Sequence, residues 1–129
     1  MNKESTKIGF IGTGVMGNPM AAHILKDGYE LYVYNRTSAK TQSLVNSGAY
    51  ACDSPGSVAE KCDVIFAIVG FPKDVETVFL GSNGIVEKAK PGSIIVDMTT
   101  STPDLAKKIA SVAIKKGSIL LMLQYQEEM

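Results

Sequence analysis

Short apolar runs alternate along the chain with longer stretches in which apolar residues recur every three or four positions. The runs Lys7–Gly12, Glu30–Asn35, Val64–Val69 and Ser93–Met98 are rich in Ile, Val, Phe and Tyr. They predict strands mostly buried on both faces. Ala49–Cys52 predicts another short strand and Ser118–Leu123 a sixth. Between them, Met16, Met20, Ile24 and Leu25 recur at helical spacing and stop at Gly28. Pro19 is compatible with that helix because a first turn has no internal partner for the missing N–H. Ala39–Asn46, Ser57–Lys61, Lys73–Phe79 and Pro103–Lys116 predict further helices. Ser54-Pro55 and Thr102-Pro103 set a capping hydroxyl before a proline at the first helical position. Strand and helix in alternation, joined by short turns, predict an α/β fold with a doubly wound parallel sheet. No internal repeat and no linker divides it, so a single domain is expected.

Composition narrows the partners. The 129 residues suit one domain, and 45% apolar content suits a packed core. Thirteen basic and thirteen acidic residues cancel, with no basic block, which argues against nucleic acid or an anionic membrane as partner. The longest apolar run, Val64 to Phe71, falls far short of the ~20 residues that cross a bilayer. The opening M-N-K-E-S-T carries an acid and does not read as a signal peptide. Cys52 and Cys62 show no metal-type spacing, so two buried, reduced thiols in a cytoplasmic protein are expected and no metal site is assigned. His23, the only histidine, falls inside the first helix and reads as structural or exposed. The six methionines read as core residues.

The chemistry lies in the glycines. Gly12-Thr13-Gly14-Val15-Met16-Gly17 follows a strand and opens a helix, the context that makes a G-x-G-x-x-G run specific for a Rossmann-like dinucleotide-binding turn. Gly12 permits the tight turn, Gly14 lets backbone approach a pyrophosphate, and Gly17 lets the helix pack closely on the strand. The helix N-terminus adds unpaired N–H groups and a positive dipole end. A second checkpoint lies ~20 residues on, where an acid would bind the adenosine ribose 2′-hydroxyl and favour NAD. Here the chain carries Asn35-Arg36-Thr37. These do not repel a phosphate, and Arg36 can make a two-pronged charged hydrogen bond to one, so NADP is expected over NAD. The same missing acid disfavours an S-adenosylmethionine-dependent methyltransferase. Lys40 either adds charge there or is solvated. Val69-Gly70-Phe71-Pro72 and Thr99-Thr100-Ser101 follow strands on the ligand-binding side of such sheets. They read either as cofactor edges or as ordinary turn and cap chemistry.

In combination these residues resemble a known family. The run I-G-F-I-G-T-G-V-M-G-N-P-M-A, then V-Y-N-R-T, the block D-V-I-F-A-I-V-G-F-P-K-D-V and the run G-I-V-E-K-A-K-P-G-S-I-I-V-D-M-T-T-S-T-P are similar to the N-terminal domain of the β-hydroxyacid dehydrogenases. That is the 3-hydroxyisobutyrate and 6-phosphogluconate dehydrogenase family, and the likeness is nearest to its glyoxylate and succinic semialdehyde reductases. The resemblance implies a cofactor role for Gly12 to Gly17 and adenosine-phosphate contacts at Asn35, Arg36 and Thr37. It also implies that Val69, Gly70, Phe71 and Thr100 lie beside the nicotinamide half. Members of the family are more than twice as long. They add a substrate loop D-A-P-V-S-G-G, a proton-exchanging lysine and an all-helical second domain, none of which stands in this sequence. No catalytic residue is therefore assigned. Two functions remain: the cofactor half of an NADP-dependent reductase of small hydroxy, aldehyde or keto acids, or a dinucleotide-binding module without catalysis. A small carboxylate substrate, and a homo-oligomer, belong only to the full-length parent.

The last residues, about 119–129, are expected to be aberrant. Where D-A-P-V-S-G-G belongs, the chain reads M-L-Q-Y-Q-E-E-M. If the codon of Leu121 ends in G, the codons for Met122 to Met129 read one base back can spell D-A-P-V-S-G-G-D. A one-base deletion near Leu120 and Leu121 is the expected cause. A natural or engineered domain boundary is the alternative. Sequencing the gene and its downstream DNA tests this. Restoring one base should open a frame encoding D-A-P-V-S-G-G and then a helical domain, and failure to find that frame rules the deletion out.

Overall fold

A computed structural model describes residues 5–12, 17–68, 72–98 and 103–122. Six strands follow the expected apolar runs: β1 (Lys7–Ile11), β2 (Glu30–Tyr34), β3 (Tyr50–Ala51), β4 (Val64–Ala67), β5 (Ile94–Asp97) and β6 (Ile119–Met122). All neighbouring pairs are parallel, and their order is β3-β2-β1-β4-β5-β6. The helices are α1 (Gly17–Lys26), α2 (Gln42–Asn46), α3 (Pro55–Lys61), α4 (Pro72–Leu80), α5 (Ile85–Lys88) and α6 (Pro103–Lys115). A 3₁₀ turn at Ser38–Thr41 precedes α2, so the single helix expected over Ala39–Asn46 is split. Among the described residues, no helix is long and apolar enough to cross a membrane.

Alternation along the central strands sorts the core into two clusters, one for each face of the sheet. Ile8 and Phe10 of β1 join Leu31 and Val33 of β2 beneath Ala21 of α1 and Leu44 of α2. Ile65 of β4 and Ile95 of β5 join Val58 of α3, Phe79 of α4, Ile85 of α5 and Ile109 of α6. Phe10 and Phe66 lie opposite each other in the β1–β4 register and stack with ring centroids 5.8 Å apart. Helix ends follow the expected chemistry. The Ser57 N–H donates to Ser54 Oγ at 3.0 Å just ahead of Pro55. The cap expected from Thr102 lies outside the described residues, and α6 begins at Pro103 as expected.

Several expectations need correction. Burial on both faces suits β1, β4 and β5, but β2 alternates, with Leu31 and Val33 buried and Glu30, Tyr32 and Tyr34 half-buried. Both residues of β3 are exposed, and Ile119 and Leu121 of β6 are 54% and 48% exposed. β3 and β6 are the sheet's outer strands, so each has a neighbour on one side only. Met20 is 40% exposed rather than in the core, because Gly17 and Ala21 form the buried side of α1. Small residues allow that helix to lie close to the sheet, and the long thioether side chain is left outside. Cys62 is buried as expected, and burial pushes its thiol up to about 12. Cys52 is only partly buried, and desolvation raises its thiol as well. Helix α5 was not foreseen; its four residues are too few to show a helical period.

At the end of the sheet opposite the strand C-termini, Asp63 ties three strands together. Its Oδ2 accepts from the Lys7 backbone N–H at 2.8 Å and its Oδ1 from Lys90 Nζ at 2.8 Å. Its backbone N–H donates to the Lys7 carbonyl, and its carbonyl accepts from the Ile94 N–H. The Lys7 N–H, and then the Lys90 ammonium, hold the Asp63 carboxyl below the usual carboxylate range. A carboxyl whose folded pKa is depressed contributes stability above its unfolded value of ~3.9 and loses it as pH falls through the folded value. Asp63→Asn should therefore destabilise the chain at pH 7 by no more than about 1 kcal/mol, since the side chain is solvent-screened. The gap to wild type should close as pH falls below about 4. Urea unfolding at pH 7 and pH 3 checks this; a gap of equal size at both values would refute it.

Candidate functional site

The site starts where β1 ends. Gly12 sits at φ +93°, a conformation that L side chains rarely adopt, and its N–H donates to the Tyr34 carbonyl at 2.8 Å. The Ile68 N–H donates to the Ile11 carbonyl at 2.9 Å, so β2 and β4 both fasten to the last turn of β1. A Cβ at position 12 would strike the Ile68 carbonyl oxygen. Gly17 opens α1, where a Cβ would strike the Gly12 carbonyl oxygen and come within 3.0 Å of the Phe10 ring. The first and third glycines of the loop are thus sterically required: the first to make the turn, the third to seat the helix. Thr13, Gly14, Val15 and Met16 lie outside the described residues.

Beside this turn is an open cleft of about 640 Å³ at the C-terminal ends of β1, β2 and β4. Ile11, Tyr34 and Ile68 line its apolar part. Asn35, Arg36, Thr37 and Lys40 line one side, and Asp74, Thr77 and Val78 of α4 the other, with Pro55 and Gly81–Asn83 closing the end. The structure therefore brings Gly12, Asn35, Arg36 and Thr37 together, as the sequence predicts. Val69, Gly70, Phe71 and Thr100 lie outside the described residues, as do Thr99 and Ser101. His23 is exposed on α1 and does not line the cleft.

Local bonding shapes the polar side. Asn35 Nδ2 donates to the Thr37 carbonyl at 3.0 Å, bracing the bend that presents Arg36. Arg36 Nη1 donates to Asp74 Oδ2 at 3.1 Å across the cleft. The Arg36 side chain is 79% exposed, whereas that of Asp74 is 26% exposed. Sequence reasoning missed Asp74. The available signal was an acid in the first turn of a helix directly after a strand, which marks a charge near a ligand-binding strand end. It also missed Thr77, Val78 and the Gly81–Asn83 segment. Of the two alternatives left open for Lys40, the structure favours the first: it lines the cleft beside Arg36 and Thr37. Tyr32, whose OH donates to Glu30 Oε2 at 2.7 Å and is pushed up to about 12 chiefly by that bond, lines a separate groove with Cys52. The cleft thus offers an apolar slot and a cationic rim beside a tightly packed glycine turn.

A parallel sheet in this order, with a glycine turn ending its central strand and a cleft where the direction of winding reverses, defines a dinucleotide-binding α/β domain. The comparisons agree. The family described as the NAD binding domain of 6-phosphogluconate dehydrogenase matches residues 7–123, and the chain belongs to that family. It is 52% identical over 114 residues to the uncharacterized oxidoreductase YkwC of Bacillus subtilis (strain 168), covering 88% of this chain and 40% of that protein. It is 52% identical over 111 residues to "Probable 3-hydroxyisobutyrate dehydrogenase-like 1, mitochondrial" of Arabidopsis thaliana, covering 85% of this chain and 33% of that protein. Among solved structures it is similar to an imine reductase from Myxococcus stipitatus in complex with NADP+. That likeness has a TM-score of 0.81 and 25% identity over 94% of this chain and 41% of that one. The chain thus spans 40% or less of the length of these two curated relatives.

Proposed function

We propose that the chain binds NADP(H) in preference to NAD(H), as the cofactor half of an oxidoreductase acting on a small hydroxy, aldehyde or keto acid. The observation that carries this reading is Arg36 at the rim of the cleft, directly after β2, where an acid would serve NAD. The cleft volume falls in the range of small-ligand sites, roughly 300–1,000 Å³. The steric demand for glycine at positions 12 and 17, which sets the start of α1 against the end of β1, supports a turn of the dinucleotide-binding kind. In this reading Gly12, Thr13, Gly14, Val15, Met16 and Gly17 hold the pyrophosphate. Asn35, Arg36 and Thr37 hold the adenosine 2′-phosphate, and Val69, Gly70, Phe71 and Thr100 flank the nicotinamide half. When bound, the cofactor supplies the hydride; the residues of this chain bind and orient it. Relatives named as 3-hydroxyisobutyrate dehydrogenase-like and as 2-(hydroxymethyl)glutarate dehydrogenase support the substrate class.

The second reading is a dinucleotide-binding module without catalysis. Hydride transfer to or from a carbonyl needs a proton partner, and no residue of this chain is assigned that role. The two readings share the cofactor and differ at turnover. A cytoplasmic location, proposed from the two free thiols, fits both.

Calorimetric titration should show tighter binding of NADPH than of NADH. Arg36→Asp should weaken NADPH by roughly tenfold to a hundredfold, the worth of a lost charge-assisted pair at about 1.5–3 kcal/mol. Tighter NADH, or an unchanged NADPH affinity in the variant, overturns the cofactor assignment. The 129-residue chain should not turn over glyoxylate, succinic semialdehyde or 3-hydroxyisobutyrate. Positioned acid–base groups alone are worth about 10²–10⁴-fold. Steady oxidation or reduction of the nicotinamide with any of the three, by protein free of host reductase, would show the chain to be catalytic.

A further inference from the structure

The contact across the cleft is between Arg36, the residue that favours a phosphate, and Asp74, a residue that opposes one. Asp74 is the only acidic side chain among the described residues that line the cleft. Its Oδ2 lies 3.1 Å from Arg36 Nη1. The acid is the more enclosed partner and sits in the first turn of the nine-residue helix α4; the guanidinium is the more exposed one, on the bend after β2. The pair therefore holds a carboxylate where the charged end of a ligand bound at Arg36 must come.

We propose that Asp74 is a specificity-determining residue: its carboxylate competes with a cofactor 2′-phosphate for Arg36 and so moderates the preference for NADP(H) over NAD(H). This rests on the NADP(H) reading above. The two cofactors differ here by a single group, and Asp74 acts on that group with opposite sign. A 2′-phosphate carries negative charge, must share or displace the Arg36–Asp74 contact, and meets repulsion from the carboxylate. A 2′-hydroxyl is neutral and can donate a hydrogen bond to the same carboxylate. Asn35 and Thr37, the neighbours of Arg36 on the rim, are uncharged and do not repel a phosphate.

The competing account is structural: an acid in a first helical turn stabilises the helix through its dipole, whatever the cleft binds. The two accounts part on the ratio of the NADH to the NADPH dissociation constant, measured by fluorescence titration of the 129-residue chain. Asp74→Asn should raise that ratio by about three- to tenfold, the loss of an exposed ion pair plus one like-charge repulsion. Asp74→Ser keeps a polar oxygen in the first turn while removing the charge, and should raise the ratio likewise. Thermal melts confirm that each variant is folded, and the serine variant carries the test if the asparagine one is not. Arg36→Met separates the two levels of inference. If it leaves NADPH binding unchanged, the NADP(H) reading itself falls, and the role of Asp74 with it. If it weakens NADPH while both Asp74 variants leave the ratio unchanged or lower, only the role of Asp74 is overturned.

Discussion

The structure depends on how closely α1 approaches the end of β1. The helix begins against the carbonyl of Gly12 and the ring of Phe10, in a space that admits no Cβ at position 17. The strand must therefore stop abruptly, which the positive φ of Gly12 allows. That stop fixes where β2 and β4 deliver their own ends, through the bonds from the Gly12 N–H to Tyr34 and from the Ile68 N–H to Ile11. The cleft is the space left over. Its apolar part is built from these same strand ends, and its charged rim from the residues that follow them.

The elements that sequence made legible are those specified locally. Strand runs of β-branched and aromatic residues, the glycine turn and the serine-proline start of α3 all owe their conformation to neighbours within a few positions. So does the bend that presents Arg36, since Asn35 braces it from two residues away. What escaped sequence reasoning is set by distance along the chain. Arg36 and Asp74 are 38 positions apart, and no periodicity announces their meeting. Met20 fits the helical stripe, yet the small residues that face the sheet leave it outside. β3 reads as a strand and is one, but with a pairing partner on one side it needs only two residues. Helix α5 forms because Ile85 and Val86 fill space beside α3 and α4, a tertiary demand.

Charge follows a similar division. At the N-terminal ends of the strands, Asp63 accepts from a backbone N–H and an ammonium, so its charge is spent within the fold. At the C-terminal ends, Arg36 is satisfied by a contact that is mostly in solvent and worth little. A weak internal partner keeps the guanidinium oriented while leaving it open to exchange for a better one. The same kind of contact, an acid paired with a cation, thus serves as fastening at one end of the sheet and as a receptive surface at the other.

The strand order carries a further consequence, for how the chain reaches its native state. β1 pairs with β2 across a short helical crossover, but with β4 only after a long excursion; Lys7 and Asp63, which close that seam, are 56 positions apart. Non-local pairings of this kind form late, because loop closure must be met before stacking such as Phe10 on Phe66 repays it. The cleft straddles that seam, with Asn35 and Arg36 on one half of the sheet and Ile68 and Asp74 on the other. Whatever fills it bridges two halves that are the last to meet. Ligand binding thus becomes a clasp on folding as well as an outcome of it, shifting the population toward the closed sheet in proportion to ligand concentration.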